Sequence, residues 1–488
     1  MSTEIELKLQ LDAKNARKLA EHPLLAGLAT QRQHLFNTYY DTPDLALHER
    51  RVALRFRRKG GAWLLTVKSA EPASGGLAVR SEWEAPAAPG TFDFSHVDAP
   101  ELKRLLESAA ARLQPIFATD FRRQIWQVSF GQSRIELALD RGRISSGARG
   151  ERLCEIELEL LDGRIEDIFG LTRALQKHLH LRPAIASKAE RGYRLFLGQP
   201  PRPFKARSAR LAPDMAPLEA FRAIALGCLE HFQRNEPGLQ DGGETEFVHQ
   251  ARVALRRLRS AIKLFAPLLP PAFVKAYDQT WRTLAGALGD ARNWDVFLGE
   301  TLPPLEARFP GDRDLKRLKN AARQRARRAI ARLLALHETP RLIVEFTAAV
   351  YALSDTLPSP LRQFADKRLA QHARRARKLA EKHAALNAAD RHRMRIAFKK
   401  LRYAAEFFAP LLPAKRLAPT LAALARLQDE LGQINDHVTA ESLLKEVLAH
   451  RPAGPLHGWM AGRHALLVER LPAALHEWLT RRRDFLLR

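Results

Sequence analysis

Seven short stretches of the first 160 residues read as strands, and in most of them charged and apolar side chains take alternate positions. The stretches are Glu4–Leu11, Val52–Arg57, Trp63–Lys68, Val79–Glu84, Arg122–Phe130, Ile135–Asp140 and Cys154–Leu160. Successive side chains of a strand point to opposite faces, so each stretch reads as a strand with one apolar and one charged face. Glu4, Glu6, Lys8 and Gln10 oppose Ile5, Leu7, Leu9 and Leu11. Arg55 and Arg57 oppose Leu54 and Phe56, and Thr66 shares a face with Lys68. Arg80, Glu82 and Glu84 go together, as do Glu136 and Asp140, while Glu155, Glu157 and Glu159 oppose Ile156, Leu158 and Leu160. Solvent faces would carry mixed Ser, Thr, Gln and Lys; here acidic strands stand at both ends with Arg and Lys between them. A closed antiparallel barrel satisfies both faces, with a charged, wet interior and an apolar exterior covered by helices.

Ala13–Ala20, Glu101–Leu113 and Ile165–Leu179 read as helices, and Lys59-Gly60-Gly61 as a hairpin turn. The Pro-rich, basic segment Gly198-Gln199-Pro200-Pro201-Arg202-Pro203 reads as a linker. From about Pro217 the pattern is helical and rich in Ala, Leu and Arg. At 488 residues the chain is too long for one core. The division expected is 1–197, a linker 198–214, and 215–488.

The helical part repeats itself. His249 to Pro270 aligns with His392 to Pro413 at a constant offset, pairing Arg252 with Arg395, Leu258 with Leu401 and Arg259 with Arg402. Phe-Ala-Pro-Leu-Leu-Pro then occurs in both copies, and Leu284, Leu288 and Gly289 fall on Leu427, Leu431 and Gly432 without a gap. Two similar bundles, about 215–357 and 358–488, are expected to pack about a pseudo-two-fold axis. Charge follows the same division. Residues 1–200 carry 30 basic and 25 acidic groups, and residues 201–488 carry 50 and 29. The second part is therefore expected to attract polyanions. His249, Arg252, Arg256, Arg259 and Lys263 share one side of a helix, and His392, Arg395, Lys399 and Arg402 repeat the arrangement.

Two carboxylates about 6.6 Å apart along a strand, with a cation next in line, can hold a divalent ion and the phosphate it neutralises. Carboxylate and water oxygens suit hard cations such as Mg²⁺, and Arg and Lys suit phosphate oxygens. A Walker-type Gly-rich loop is missing, so P-loop chemistry is not suggested. Residues 1–197 resemble the CYTH family of triphosphate tunnel metalloenzymes. The resemblance rests on Glu4-x-Glu6-x-Lys8, Leu54-Arg55-Phe56-Arg57, Thr66-Val67-Lys68, Arg80-Ser81-Glu82-Trp83-Glu84, Glu136 to Asp140, Glu155 to Glu159 and Ser187-Lys188. It implies an eight-stranded antiparallel β-tunnel with covering helices, an α+β domain. Glu4, Glu6, Glu157, Glu159 and Asp140 are the implied metal ligands, with Mg²⁺ or Mn²⁺ as the cofactor. Lys8, Arg55, Arg57, Lys68, Arg80, Arg122 and Lys188 are the implied triphosphate-binding residues. Arg122 and Arg123 adjoin and must point apart, and Arg122 is expected inside. Glu82 and Glu84 fit a direct role and the neutralisation of basic neighbours equally.

Residues 215–488 resemble the CHAD domain through His249-x-x-Arg252 and His392-x-x-Arg395. That resemblance implies an all-α, non-catalytic domain binding long-chain inorganic polyphosphate. The tandem resembles bacterial inorganic triphosphatases, which implies hydrolysis of tripolyphosphate to pyrophosphate and phosphate. Adenylate cyclase or organic triphosphatase chemistry, and non-enzymatic polyphosphate binding, are the alternatives. Nucleic acid is not expected as a specific partner. The two cysteines, Cys154 and Cys228, fit neither zinc nor a disulfide framework. No apolar run reaches the roughly 18 residues of a membrane span. With a charged start in place of a signal peptide, the expected location is the cytoplasm, in association with polyphosphate granules.

Overall fold

A computed structural model describes residues 2–69, 75–240, 245–334, 339–354, 360–381, 387–448 and 455–481. They fall into two compact units, one of residues 1–201 with 337–352, the other of 202–336 with 353–488.

The strands of the first unit are β1 (Ser2–Gln10), β2 (Thr30–Asp41), β3 (Val52–Lys59), β4 (Ala62–Ser69), β5 (Leu77–Pro86), β6 (Gln114–Phe130), β7 (Ser133–Ser146), β8 (Arg149–Asp162) and the two-residue β9 (Arg182–Pro183). Its helices are α1 (Ala13–Ala20), α2 (Ala46–Glu49), α3 (Pro100–Ala109), α4 (Ile165–Leu175) and α5 (Lys188–Leu197). The sheet runs β5-β4-β3-β2-β6-β7-β8-β1 and closes because β1 also pairs with β5. All eight strands are antiparallel to their neighbours. The eight-stranded tunnel is therefore present. The turn at Gly60 and Gly61 joins β3 to β4, with Gly60 at φ +61°, a conformation open to glycine at little cost.

One strand was not legible. β2 begins with the polar, largely exposed Thr30–His34. Its inner face carries Leu35, Asn37 and Tyr39, so charge does not alternate along it. The other strands behave as their patterns require, since both faces are buried. Leu7 and Leu9 are fully buried outside, and Glu6 (2% exposed) and Lys8 (5%) are nearly so inside. Outside, α1 and α4 cover β1, β7 and β8 through Leu19, Phe169, Leu171 and Leu175. Helix α3 covers β3–β5 through Leu106 and Ala109 against Leu54, Phe56, Leu65 and Trp83.

The remaining helices are α6 (Pro217–Gln240), α7 (Thr245–Phe265), α8 (Pro271–Val296), α9 (Leu302–Arg308), α10 (Arg313–Leu334), α11 (Thr339–Tyr351), α12 (Leu361–Ala380), α13 (Ala388–Phe407), α14 (Ala414–Val447) and α15 (Pro455–Arg481). Helices α7 and α13, and likewise α8 and α14, begin at positions related by the sequence offset. The described elements of the second unit are all helices, and the repeat relates α7 to α13 and α8 to α14. Helix α11 belongs to the first unit. Its Val344 is fully buried with Phe169 and Leu171 of α4, and Arg341 donates to the Gln176 carbonyl at 3.2 Å. Among the described residues, no helix is long and apolar enough to cross a membrane.

Candidate functional site

The register fixes what meets inside the tunnel. Glu6 lies opposite Glu159, and Glu159 lies opposite Glu136, so three carboxylates form a row across β1, β8 and β7. Glu4 is the next inward residue of β1. Like charges directly opposed on a sheet repel, and the effect is visible on Glu159. Burial and the charges of Glu4, Glu136 and Glu6 push its carboxyl up to about 7, against the pull of Lys68.

A second acidic group is already neutralised. One oxygen each from Asp140, Glu155 and Glu157 lie within 4.8 Å of one another, a spacing that could hold a metal ion. Here the Lys188 ammonium stands among them, 2.7, 2.6 and 2.9 Å away respectively. Arg123 donates to both Asp140 oxygens at 2.7 Å and also contacts Glu157, and Arg191 donates to Glu155 at 3.0 Å. Three cations thus face three carboxylates. Burial opposes charge on Lys188, but Asp140, Glu155 and Glu157 outweigh it and hold the ammonium protonated. Asp140 thus pairs with both Arg123 and Lys188. Lys188 reaches this position because Ser187 caps α5, accepting from the Glu190 N–H at 3.1 Å. Gly192 then lets α5 lie close on Phe117 of β6.

The opposite wall is cationic. Arg55 donates to the Tyr39 hydroxyl at 3.2 Å and lies 3.6 Å from Glu82. Arg57 donates to Asn37 at 3.0 Å and lies 3.6 Å from Glu84, which accepts from Thr66 at 2.8 Å. Lys68 bridges Glu4 (2.8 Å) and Glu82 (2.7 Å), and Lys8 bridges Glu6 and Glu157, each at 2.9 Å. Glu82 and Glu84 thus act as neutralising wall residues. Burial, with Arg55 and Arg123 nearby, pulls the Arg57 guanidinium down to about 10, only partly countered by Glu84 and Glu82.

In the second unit, α7 and α13 bring together Arg252, Arg256, Arg395 and Lys399, two pairs that are equivalent under the repeat. Burial and the surrounding Arg256, Arg395 and Arg252 push the Lys399 amine down to about 6. His249 is also pulled down, by burial and then by Arg292, Arg256 and Arg252. Three expected members turn elsewhere. Arg259 (3.0 Å) and Lys263 (3.1 Å) pair with Asp278 of α8, and Arg402 pairs with Glu406 at 2.7 Å. His392 is exposed and joins no hydrogen bond or ion pair among the described residues.

The sequence matches the CYTH domain over residues 2–193 and the CHAD domain over residues 223–445. The chain is a CYTH domain followed by a CHAD domain. The CYTH part is 36% identical over 197 residues to a protein of Haemophilus influenzae named inorganic triphosphatase. The match covers 40% of this chain and 55% of that protein, so this chain spans about half the length of that relative. Among solved structures, the CHAD domain of the plant Ricinus communis is 34% identical, covering 56% of this chain and 96% of that one, with a TM-score of 0.49. A protein from Hippeastrum, described as a putative adenylyl cyclase with dominant triphosphatase activity, is 20% identical. It covers 40% of this chain and 96% of its own, with a TM-score of 0.29.

Within the CYTH domain one expected residue is corrected. Arg122 is exposed on the outer face, and Arg123 occupies the tunnel because the β6–β7 register sets it opposite Asp140. The Arg80 side chain lies outside the described residues; its backbone pairs with Glu4. Sequence reasoning placed Glu155 on the charged face without giving it a role, and missed Arg191, Asn37 and Tyr39 as tunnel residues. For Glu155 the signal was present, since it shares the face of Glu157 and Glu159. Arg191 follows Lys188 by three residues, on the same side of α5.

Proposed function

We propose that the CYTH domain is a metal-dependent inorganic triphosphatase, converting tripolyphosphate and water to pyrophosphate and phosphate, and that the CHAD domain binds long-chain polyphosphate. One observation carries the first part: the interior of one barrel holds a carboxylate row across β1, β8 and β7 and, on the opposite wall, Arg55, Arg57 and Lys68. Burial and then like-charged neighbours raise Glu159 to about 7 and lower Arg57 to about 10. A divalent ion and a phosphate chain would relieve both at once.

Glu4, Glu6 and Glu159 offer hard oxygens from adjacent strands, a donor chemistry that suits Mg²⁺ or Mn²⁺, and among the described residues the carboxylates already within 4.8 Å of one another are Asp140, Glu155 and Glu157. Such an ion supplies charge neutralisation and acidifies water. Glu157 is engaged with Lys8, Arg123 and Lys188 and orients those cations. Arg55, Arg57 and Arg123 would hold the non-bridging oxygens, with Lys8 and Lys68 set between them and the acidic row. Water adds to a terminal phosphorus, the phosphoanhydride bond breaks, and pyrophosphate leaves with the bonding pair. Positioning and charge stabilisation supply the rate without a side-chain nucleophile. The relative's name supports the inorganic substrate. For the CHAD domain, the paired Arg252/Arg395 and Arg256/Lys399 support polyphosphate binding, and through it residence at polyphosphate granules.

The test is phosphate release from tripolyphosphate and from ATP with Mg²⁺ or Mn²⁺. Release from tripolyphosphate, abolished by Glu4→Gln with Glu6→Gln, is expected. Preference for ATP, or full activity of the double variant, would refute the reading.

A further inference from the structure

The repeat is broken at one place, and a cavity opens there. Under the repeat offset, Arg257 corresponds to Lys400 and Glu406 to Lys263. At one of the two equivalent places between α7 and α13, Arg257 of α7 pairs with Glu406 of α13 and lies over the rings of Tyr403 and Phe407. At the other, the equivalent positions are Lys400 of α13 and Lys263 of α7, two cations. Beside them is a cavity of about 260 Å³ lined by Ser260, Lys263, Arg368, His372, Arg375 and Lys400, among others.

No carboxylate is among the cavity's described lining residues. Asp278, a carboxylate that acts on Lys400, is already shared by Arg259 and Lys263. The Nε of Arg368 is buried without a hydrogen-bond partner, while its other nitrogens hold Gln371 and the Lys263 carbonyl. Burial and the charges of Arg368, Lys400 and Arg375 push His372 down to about 4, so it offers a neutral ring to the cavity. Four cations thus converge on one small space.

We infer that this cavity is a second anion site of the CHAD domain, built for a short inorganic phosphate such as orthophosphate or pyrophosphate. Its volume falls below the about 300–1,000 Å³ usual for organic ligands, which favours a compact oxyanion over a nucleotide. It is separate from the Arg252/Lys399 cluster, since Lys399 and Lys400 are adjacent on α13 and project about 100° apart. The inference depends on neither tunnel chemistry nor long-chain binding.

The experiment is acetylation of the full-length protein at fixed ionic strength, with the rate at each lysine read by tandem mass spectrometry. Pyrophosphate at millimolar concentration should slow modification of Lys400 at least fivefold. Chloride at matched ionic strength should not. Lys263→Glu recreates, with Lys400, the ion pair that Arg257 and Glu406 make at the equivalent place, so it should fold at least as well as the parent and lose the pyrophosphate effect. Arg368→Gln should lose it too and serves if the first variant is unstable. An unchanged Lys400 rate, equal protection by chloride, or full protection in both variants would overturn the inference. Long-chain polyphosphate retention, measured separately on Lys399→Met, keeps failure here distinct from failure of the polyphosphate reading.

Discussion

Glu6 and Glu159 occupy directly opposed positions on β1 and β8, both with their carboxylates inside the tunnel. The pair has a pH signature. The Glu159 carboxyl lies near 7 when folded against 4.5 for the free group. Between those values the folded chain holds the extra proton, so stability falls as pH rises through the window, and the cost is full above it. Glu159→Gln should therefore raise the melting temperature of metal-free protein at pH 8 and leave it unchanged at pH 4.5. Mg²⁺ should stabilise the parent at pH 8 but not the variant. A lower melting temperature for the variant at pH 8 would contradict this.

Lys188 holds three carboxylates together, so its loss leaves them facing one another without their shared cation. Lys188→Met should cost about 3–5 kcal/mol in urea unfolding at pH 7, as for a buried pair stripped of one partner. Arg122→Ala, on the outer face, should stay within about 0.5 kcal/mol. Equal effects would mean that the tunnel assignment of the two sites is wrong.

The sequence made the tunnel legible because charge alternates along strands whose two faces are both buried, as at Glu6 and Lys8 against Leu7 and Leu9. It did not reveal β2, whose inner face carries Asn37 and Tyr39 instead of charge. The choice between Arg122 and Arg123 needed the β6–β7 register, which no local pattern encodes. The carboxylates Asp140, Glu155 and Glu157 were visible in the sequence, but no local pattern showed that Lys188, on a helix almost 50 residues downstream of Asp140, pairs with all three. In the CHAD domain the repeat located Arg252, Arg256, Arg395 and Lys399. It could not show that Asp278 of a neighbouring helix would claim Arg259 and Lys263.

Helix α11 lies in sequence among the CHAD helices, yet Val344 is buried in the core that α4 forms on the tunnel. A fragment of residues 1–201 lacks that cover and should melt below the full chain. Val344→Ala should destabilise the first unit by about 1.5–3 kcal/mol, the worth of a buried valine. Hydrogen exchange on α4 and β1 reads it. Unchanged protection in both would show that α11 contributes nothing to this core.

Lys399 is held largely neutral at pH 7.5 by burial and three arginines, with its amine near 6. An anion beside it restores the charge, so polyphosphate binding should take up protons, up to one per chain from this group. Affinity should be higher at pH 6 than at pH 8 at constant salt. Calorimetry in buffers of different ionisation heat measures the uptake, which Lys399→Met should remove. Uptake that persists in that variant would place the proton elsewhere.

The acidic row of the tunnel can be tested without any turnover by titrating Mn²⁺ into the metal-free chain at pH 7.5 and following its paramagnetic resonance signal. The parent should bind Mn²⁺ tightly, and Glu6→Gln with Glu159→Gln should lose that binding while keeping the far-ultraviolet circular dichroism of the folded chain. Mn²⁺ binding undiminished in the double variant would contradict the account.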